Sequence, residues 1–357
     1  MDPHRDARPS VTRGGLAVTL VSASDLDAAA RVAAAAVGAP ASAPPAVVEA
    51  PGGDSGDLGA DIADGLIADA DDGRTGLAVV ALEPAADPLE VALVLEHVVE
   101  ARHPGSTHIG ILDVVAVSSV AEILELLLDP GRADATPFDA AERLAGRLEC
   151  ASVVVLDDLD ADHPDPDARR AVALLAHLAP DARVIATADR RALVPTPLRI
   201  GRQRARRLAA GMGWQVALAG EAAPTTADGM GVHVFRDPRP FHPGRLHTAV
   251  AHDLVPGPVG RIVRSRGLVR LATRPATVGS WATAGDVLSL DPTAMRSWDP
   301  DSPAGQEIAF VGEHLDGALL DGILGACLLG ADELVAGPDA WHGYADPFPV
   351  WGTEHRH

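Results

Sequence analysis

Residues 18–38 read VTLVSASDLDAAARVAAAAVG. The first five residues have the β-branched, apolar character of a buried strand. A polar turn follows, then an alanine-rich helix that should end near Gly38, with Ser24 and Asp27 as a capping-box-like start. Strand, turn and helix is how a mononucleotide-binding unit begins, and there a glycine-rich turn aims successive backbone N–H groups at phosphate. Here the turn is SASDLDAAA (22–30), without glycine or lysine, and Asp25 and Asp27 would repel an anion. Two readings stay open on this stretch alone: a phosphate site that has lost its chemistry, or an ordinary strand–turn–helix.

Composition narrows the choice. The 357 residues contain no lysine and no asparagine, and all 29 positive charges are arginine. A P-loop needs its lysine at the β- and γ-phosphates, and a guanine-reading N-K-x-D loop needs both missing residue types. A conventional GTPase is therefore excluded. A GC-rich genome would favour arginine over lysine, yet selection for phosphate binding would retain a P-loop lysine. Aromatics are 3% of a chain that is 47% hydrophobic, so the cores must be built from Ala, Val and Leu. Cys150 and Cys327 lie far apart in apolar stretches, as buried thiols of a reducing compartment do. The polar first fifteen residues and the lack of a long apolar run predict a cytoplasmic protein with no membrane contact.

The net charge of −21 hides an asymmetry. Between Arg190 and Arg274 fifteen arginines face four acids (Glu221, Asp228, Asp237, Asp253). Such a block can present a steered surface to a polyanion, or its arginines can pair with acids elsewhere in the chain. Its densest part, RIGRQRARR, holds Arg199, Arg202, Arg204, Arg206 and Arg207, the candidate phosphate contacts to a nucleic acid, of which DNA is not expected.

The pattern along the chain predicts a flexible start (1–15), an α/β domain (16–190), an Arg/Gly/Pro-rich linker (191–231), a smaller α+β domain (232–351) and a tail (352–357). In the first domain apolar strands at 18–22, 76–82, 108–117, 152–157 and 183–187 alternate with helices, implying a parallel sheet covered on both faces. Residues 39–75, rich in Ala, Pro, Gly and Asp, read as a loop or a poorly ordered region. In the second domain strands are expected at 232–236, 259–264, 267–273, 277–282, 286–290 and 307–315, with helices after Pro243 and over 316–329.

RPFHPGRLH (239–247), VRSRGLVRLATRPATVG (263–279), EIAFVGEHLD (307–316) and LLGADELVAGPDAWHGYADPFPVW (328–351) closely resemble the C-terminal domain of the CobW family, P-loop GTPases linked to zinc and cobalt handling. On that resemblance the family's P-loop falls on residues 18–33, its lysine position on Ala29 and its magnesium-binding threonine on Ala30. The switch glycine falls on Pro84, and the guanine-reading Asn and Lys fall on Asp157 and Asp158 of ECASVVVLDDLDA (149–161). The family's cysteine-rich metal motif has no counterpart, since no cysteine precedes Cys150. The implied fold is a degenerate P-loop-like, doubly wound parallel sheet followed by a CobW C-terminal-like domain. The same departures resemble an actinobacterial branch of ribosome-hibernation-factor recruiting factors. This implies a non-catalytic adaptor that brings a hibernation factor to the small ribosomal subunit under zinc limitation.

Other candidate sites are weaker. His233, His242, His247 and His252 crowd one stretch, the last three at i, i+5, i+10, which does not place them on one helix face as zinc pairs require. His242 and His247, with His355 and His357 of the tail, are the metal candidates, and zinc is the one metal left open; no other cofactor is expected. DDLDADHPDPD (157–167) has D-x-D-x-D, but His163 and Arg169 stand where a calcium loop needs Gly and Glu. No G-x-S-x-G elbow occurs. The aromatic WHGYADPFPVW (341–351) should pack as a lid or expose a docking edge. The runner-up function is a zinc metallochaperone without GTPase activity; a third class, an active NTPase, needs a lysine-free phosphate site.

Overall fold

The computed structural model describes residues 15–36, 54–105, 108–129, 138–187, 203–220, 229–285 and 287–351. They fall into two compact units. One comprises those up to Leu124 and from Arg143 to Met212, the other those of Glu125–Glu142 and from Gly213 onward.

The first unit is built on β1 (Leu16–Ser22), β2 (Gly76–Ala81), β3 (Ile109–Ser118), β4 (Val153–Leu156) and β5 (Arg183–Ala186), all parallel in the order β2-β1-β3-β4-β5. Strand alternation divides β1 between two cores. Leu16, Val18 and Leu20 pack with helices α2 (Ser55–Asp71) and α3 (Pro88–Arg102), whereas Val21 joins Ala29, Val32 and Ala33 of α1 (Leu26–Ala36). Neither cluster contains an aromatic residue, as the low aromatic content allows. The doubly wound parallel sheet is thus as expected.

Helix α2 lies in the stretch expected to be a loop or a poorly ordered region. Its stripe of Leu58, Ile62, Ala63, Leu66 and Ile67 has helical spacing, and the Asp54 side chain caps it by accepting from Gly56 N. The surrounding Gly, Pro and Asp masked that periodicity. Gly59 is there for close approach: a Cβ would stand 2.9 Å from both Val91 O and Val94 Cβ on α3. After β3 the chain makes one α-turn, α4 (Val120–Ile123), continued by a π-helical turn over Leu124–Leu128. The chain continues through α5 (Phe138–Glu149) and α6 (Pro166–Leu178). The stretch read as a linker contains α7 (Arg204–Gly211) and α8 (Gly213–Leu218).

The second unit has an antiparallel sheet of β6 (Met230–Asp237), β7 (Arg261–Val269), β8 (Thr277–Ala284), β9 (Val287–Arg296) and β10 (Gln306–Glu313), ordered β6-β10-β7-β8-β9. The strands expected at 259–264 and 267–273 are one strand, β7, because Gly267 continues the ladder opposite Ile308 instead of breaking it. Helices α9 (Pro243–His252) and α10 (Gly317–Cys327) contribute Leu246, Ala249 and Leu324 to a core with Phe235, Phe241, Trp281 and Phe310. A further helix, α11 (Ala331–Trp341), was not expected; Gly337 and Pro338 break it, and it buries none of its residues. On β7, Arg264 is 1% exposed and pairs with Glu142, a residue of this same unit, which Arg266 also holds at 2.7 Å. Among the described residues no helix is long and apolar enough to cross a membrane.

Candidate functional site

In this strand order the chain reverses direction across the sheet between β1 and β3, and a ligand crevice is expected outside the carboxyl ends of those two strands. A buried ion pair of the protein lies at those strand ends. From α5 the Arg147 guanidinium, 5% exposed, donates from Nη1 to the Ala23 carbonyl just past β1 at 3.2 Å. Its Nη2 lies 3.5 Å from Glu122, in the first turn after β3. Glu122 in turn accepts from Ser118 Oγ at 2.6 Å. Burial depresses the Arg147 pKa, and the Glu122 charge opposes that shift.

The start of α1 is likewise taken. The Asp25 carboxylate accepts from Asp27 N at 3.1 Å and Ala28 N at 3.2 Å, and its carbonyl accepts from Ala29 N. Asp25, not the Ser24–Asp27 pair, is therefore the N-cap; two residues on from it is where an Asx side chain reaches back to the backbone. The donors that a P-loop would turn toward phosphate are turned toward a carboxylate of the chain. Ala29 is fully buried and Ala30 packs beside it, so the positions aligned with lysine and threonine are core contacts.

Asp157 and Asp158 are equally committed. Asp158 caps α4, accepting from Val120 N at 2.6 Å and Ala121 N at 3.1 Å. Asp157 accepts from the Thr187 hydroxyl at 2.6 Å. Further along, Asp160 accepts from Asp162 N and His163 N in a local Asx turn.

Much of the arginine block is neutralised. Arg236, Arg239, Arg245, Arg261, Arg264, Arg266 and Arg274 all sit in ion pairs. Arg204 lies 3.8 Å from Asp113, a buried β3 carboxylate that also accepts from Ser152 Oγ. Burial raises the Asp113 pKa; the Ser152 hydrogen bond and the Arg204 and Arg183 charges offset this only in part. Arg204 is thus a structural partner and not a free contact. Arg206 and Arg207 are exposed on α7. Arg199 and Arg202 lie outside the described residues, as do His355 and His357.

The histidines do not converge. His242 is the N-cap of α9, its Nδ1 accepting from Arg245 N at 3.3 Å, and it stacks on Tyr344 with centroids 4.6 Å apart. His247 packs edge-on against Phe348, and His233 pairs with Asp321 at 2.8 Å. Among the described residues no group of three His, Cys, Asp or Glu side chains is placed to hold a metal ion.

Comparison with known proteins bears on this second unit directly: residues 230–328 match the model of the cobalamin synthesis protein CobW C-terminal domain. The second unit is therefore similar, over most of its length, to the CobW C-terminal domain. Over 322 residues the chain is 29% identical to the zinc chaperone Rv0106 of Mycobacterium tuberculosis, covering 80% of this chain and 74% of that protein. It is 24% identical over 230 residues to the zinc-regulated GTPase metalloprotein activator 1 of Dictyostelium discoideum, covering 58% of this chain and 48% of that one. Zn(II)-bound YjiA GTPase from E. coli matches at 14% identity over 88% of this chain and 99% of that one, with a TM-score of 0.33, too loose a likeness to carry an argument.

Within the stretch similar to the CobW C-terminal domain and the segment that follows it, the residues of the recognisable motifs hold the unit together. Phe241 N donates to Arg270 O and His242 N to Cys327 O, so the RPFHP stretch ties the end of β7 to the end of α10. Arg245 donates to both carboxylate oxygens of Glu333 and to Leu328 O, fixing α11 against α9. Arg274 pairs with Asp346 at 2.9 Å, donates to Phe348 O and stacks on Trp351. Residues 341–351 are therefore clamped by polar contacts; Tyr344, Phe348 and Trp351 are half-buried. Sequence reasoning missed Arg147 and Glu122, since an arginine inside GRLE carries no signature.

Proposed function

We propose that this chain is a cytoplasmic CobW-type protein of zinc homeostasis that works by binding partners, without hydrolysing nucleotide. What supports this reading is the region at the carboxyl ends of β1 and β3, where Arg147 pairs with Glu122 and the Asp25 carboxylate takes the backbone donors at the start of α1. The similarity to a protein named as a zinc chaperone supports the zinc connection. The partner we propose is the small ribosomal subunit, with a hibernation factor recruited to it when zinc is scarce. Contact would run through Arg206 and Arg207, the exposed remainder of the basic cluster.

The test is sucrose-gradient co-sedimentation of the full chain with ribosomes from zinc-starved and zinc-replete cells, across a salt series, with and without hibernation factor. Salt-sensitive binding to the small subunit, stronger in starved material, is the expected result. Absence of binding in every condition would overturn the adaptor. The second reading, a zinc metallochaperone without GTPase activity, rests on the relative's name, and it requires stoichiometric zinc binding that survives removal of the tail from Glu354.

A further inference from the structure

The second unit contains a partly open cavity of about 280 Å³ between the end of α9 and the β7–β8–β9 side of the sheet, lined by residues of that unit alone. Its walls are Leu254, Ile262, Leu288 and Phe310, and Val255 and Val287, 42% and 43% exposed, stand at its rim. Among the described residues no lining residue is charged, in a chain where 22% of residues are. Transfer of an ion or a nucleotide to such walls would be strongly opposed, whereas a neutral apolar molecule gains by it.

Two hydroxyls also line the cavity, and their hydrogen bonds do not balance. The Trp281 indole N–H donates to Ser265 Oγ at 2.7 Å, and Ser265 Oγ meets Thr283 Oγ1 at 2.8 Å. Three donors, one indole N–H and two hydroxyls, thus share two bonds. If Ser265 donates to Thr283, the Thr283 hydrogen is left over; if Thr283 donates, the Ser265 hydrogen is. Neither residue has another side-chain partner among the described residues. Either way one O–H remains without an acceptor at an otherwise apolar cavity.

We infer that this cavity is a binding site for a small, uncharged, largely apolar molecule carrying one hydrogen-bond acceptor, such as a ketone or ester oxygen, received by the Ser265–Thr283 hydroxyl pair. The inference is independent of the proposed adaptor role, because it rests on residues that take no part in that reading.

The probe is benzylacetone, compared with its hydrocarbon analogue in which a methylene replaces the ketone oxygen. The full chain is titrated and followed by NMR at the Trp281 indole N–H, which is assigned by its loss in Trp281→Phe. Benzylacetone should saturate a single site and shift that resonance, and the analogue should bind about tenfold more weakly for want of one hydrogen bond. Val287→Trp, a rim substitution at a half-exposed position, should weaken both ligands while leaving thermal unfolding unchanged. Absence of saturation, shifts confined to other resonances, or binding untouched by Val287→Trp would overturn the site. Equal affinity for the two probes would overturn the acceptor, and would mark the cavity as a seat for an apolar side chain of a partner.

Discussion

The Arg147 guanidinium lies 3.5 Å from the Glu122 carboxylate and bonds the Ala23 carbonyl, joining the end of β1 to the turn after β3. A buried cation of this kind is tolerated because its partner is present. Removing the partner is costly. Glu122→Ala should destabilise the protein by about 3–5 kcal/mol, and Glu122→Gln, which keeps an acceptor, should cost less. Urea unfolding of the variants measures both; a Glu122→Ala loss within the range of ordinary surface changes would contradict the pairing.

The Asp25 cap predicts a smaller, local effect. Asp25→Ala removes the acceptor for Asp27 N and Ala28 N and should cost about 0.5–2 kcal/mol. Asp25→Asn should retain most of the stability, since asparagine caps as well. Thermal or urea unfolding distinguishes the two, and equal losses would show that the carboxylate's charge, not its hydrogen bonds, holds the turn.

His242 predicts a pH dependence. Burial, and then the Arg245 charge, lower its pKa below the ordinary imidazole range. The folded state therefore prefers the neutral ring, whose Nδ1 accepts from Arg245 N. A depressed pKa contributes stability that is fully present above the unfolded-state value and is lost as pH falls through the folded-state value. His242→Asn keeps a capping acceptor and should flatten the stability profile between roughly pH 7 and pH 5. Unfolding midpoints of the two proteins across that range supply the test, and parallel profiles would remove His242 from the account.

Arg206 and Arg207 are exposed, whereas Arg204 is engaged with Asp113. If α7 contacts ribosomal RNA, replacing Arg206 and Arg207 together by alanine should lower ribosome binding and reduce its salt slope by about 2. Arg204→Ala should instead lower stability. Co-sedimentation at several salt concentrations, beside unfolding of each variant, separates the two effects; an unchanged slope in the double variant would sink the contact.

The sequence showed the sheet of the first unit well, because runs such as VTLVS and SVVVLD are too apolar to be anything but buried strands. It hid α2, whose Leu58–Ile67 stripe is diluted by Asp and Gly, and it split β7 at a glycine that pairs across the sheet. The absence of P-loop glycines and lysine was legible in the sequence. What stands in their place was not: a cap needs only an aspartate at the right offset, and Arg147 meets Glu122 across 25 residues of chain that no short motif spans. The arginine block left its two readings open for a related reason. A run of like charges looks like a surface until the acids that neutralise it, such as Glu333 for Arg245 and Asp346 for Arg274, are seen far along the sequence.

The most direct test of the central claim is titration of the full-length protein, with magnesium present, against fluorescent GTP and ATP analogues. With Arg147 paired to Glu122 and the Asp25 carboxylate holding the backbone donors at the start of α1, no saturable signal should develop even at millimolar nucleotide. One-site binding at micromolar nucleotide, displaced by the unlabelled triphosphate, would contradict the account and return the first unit to the working nucleotide-binding proteins.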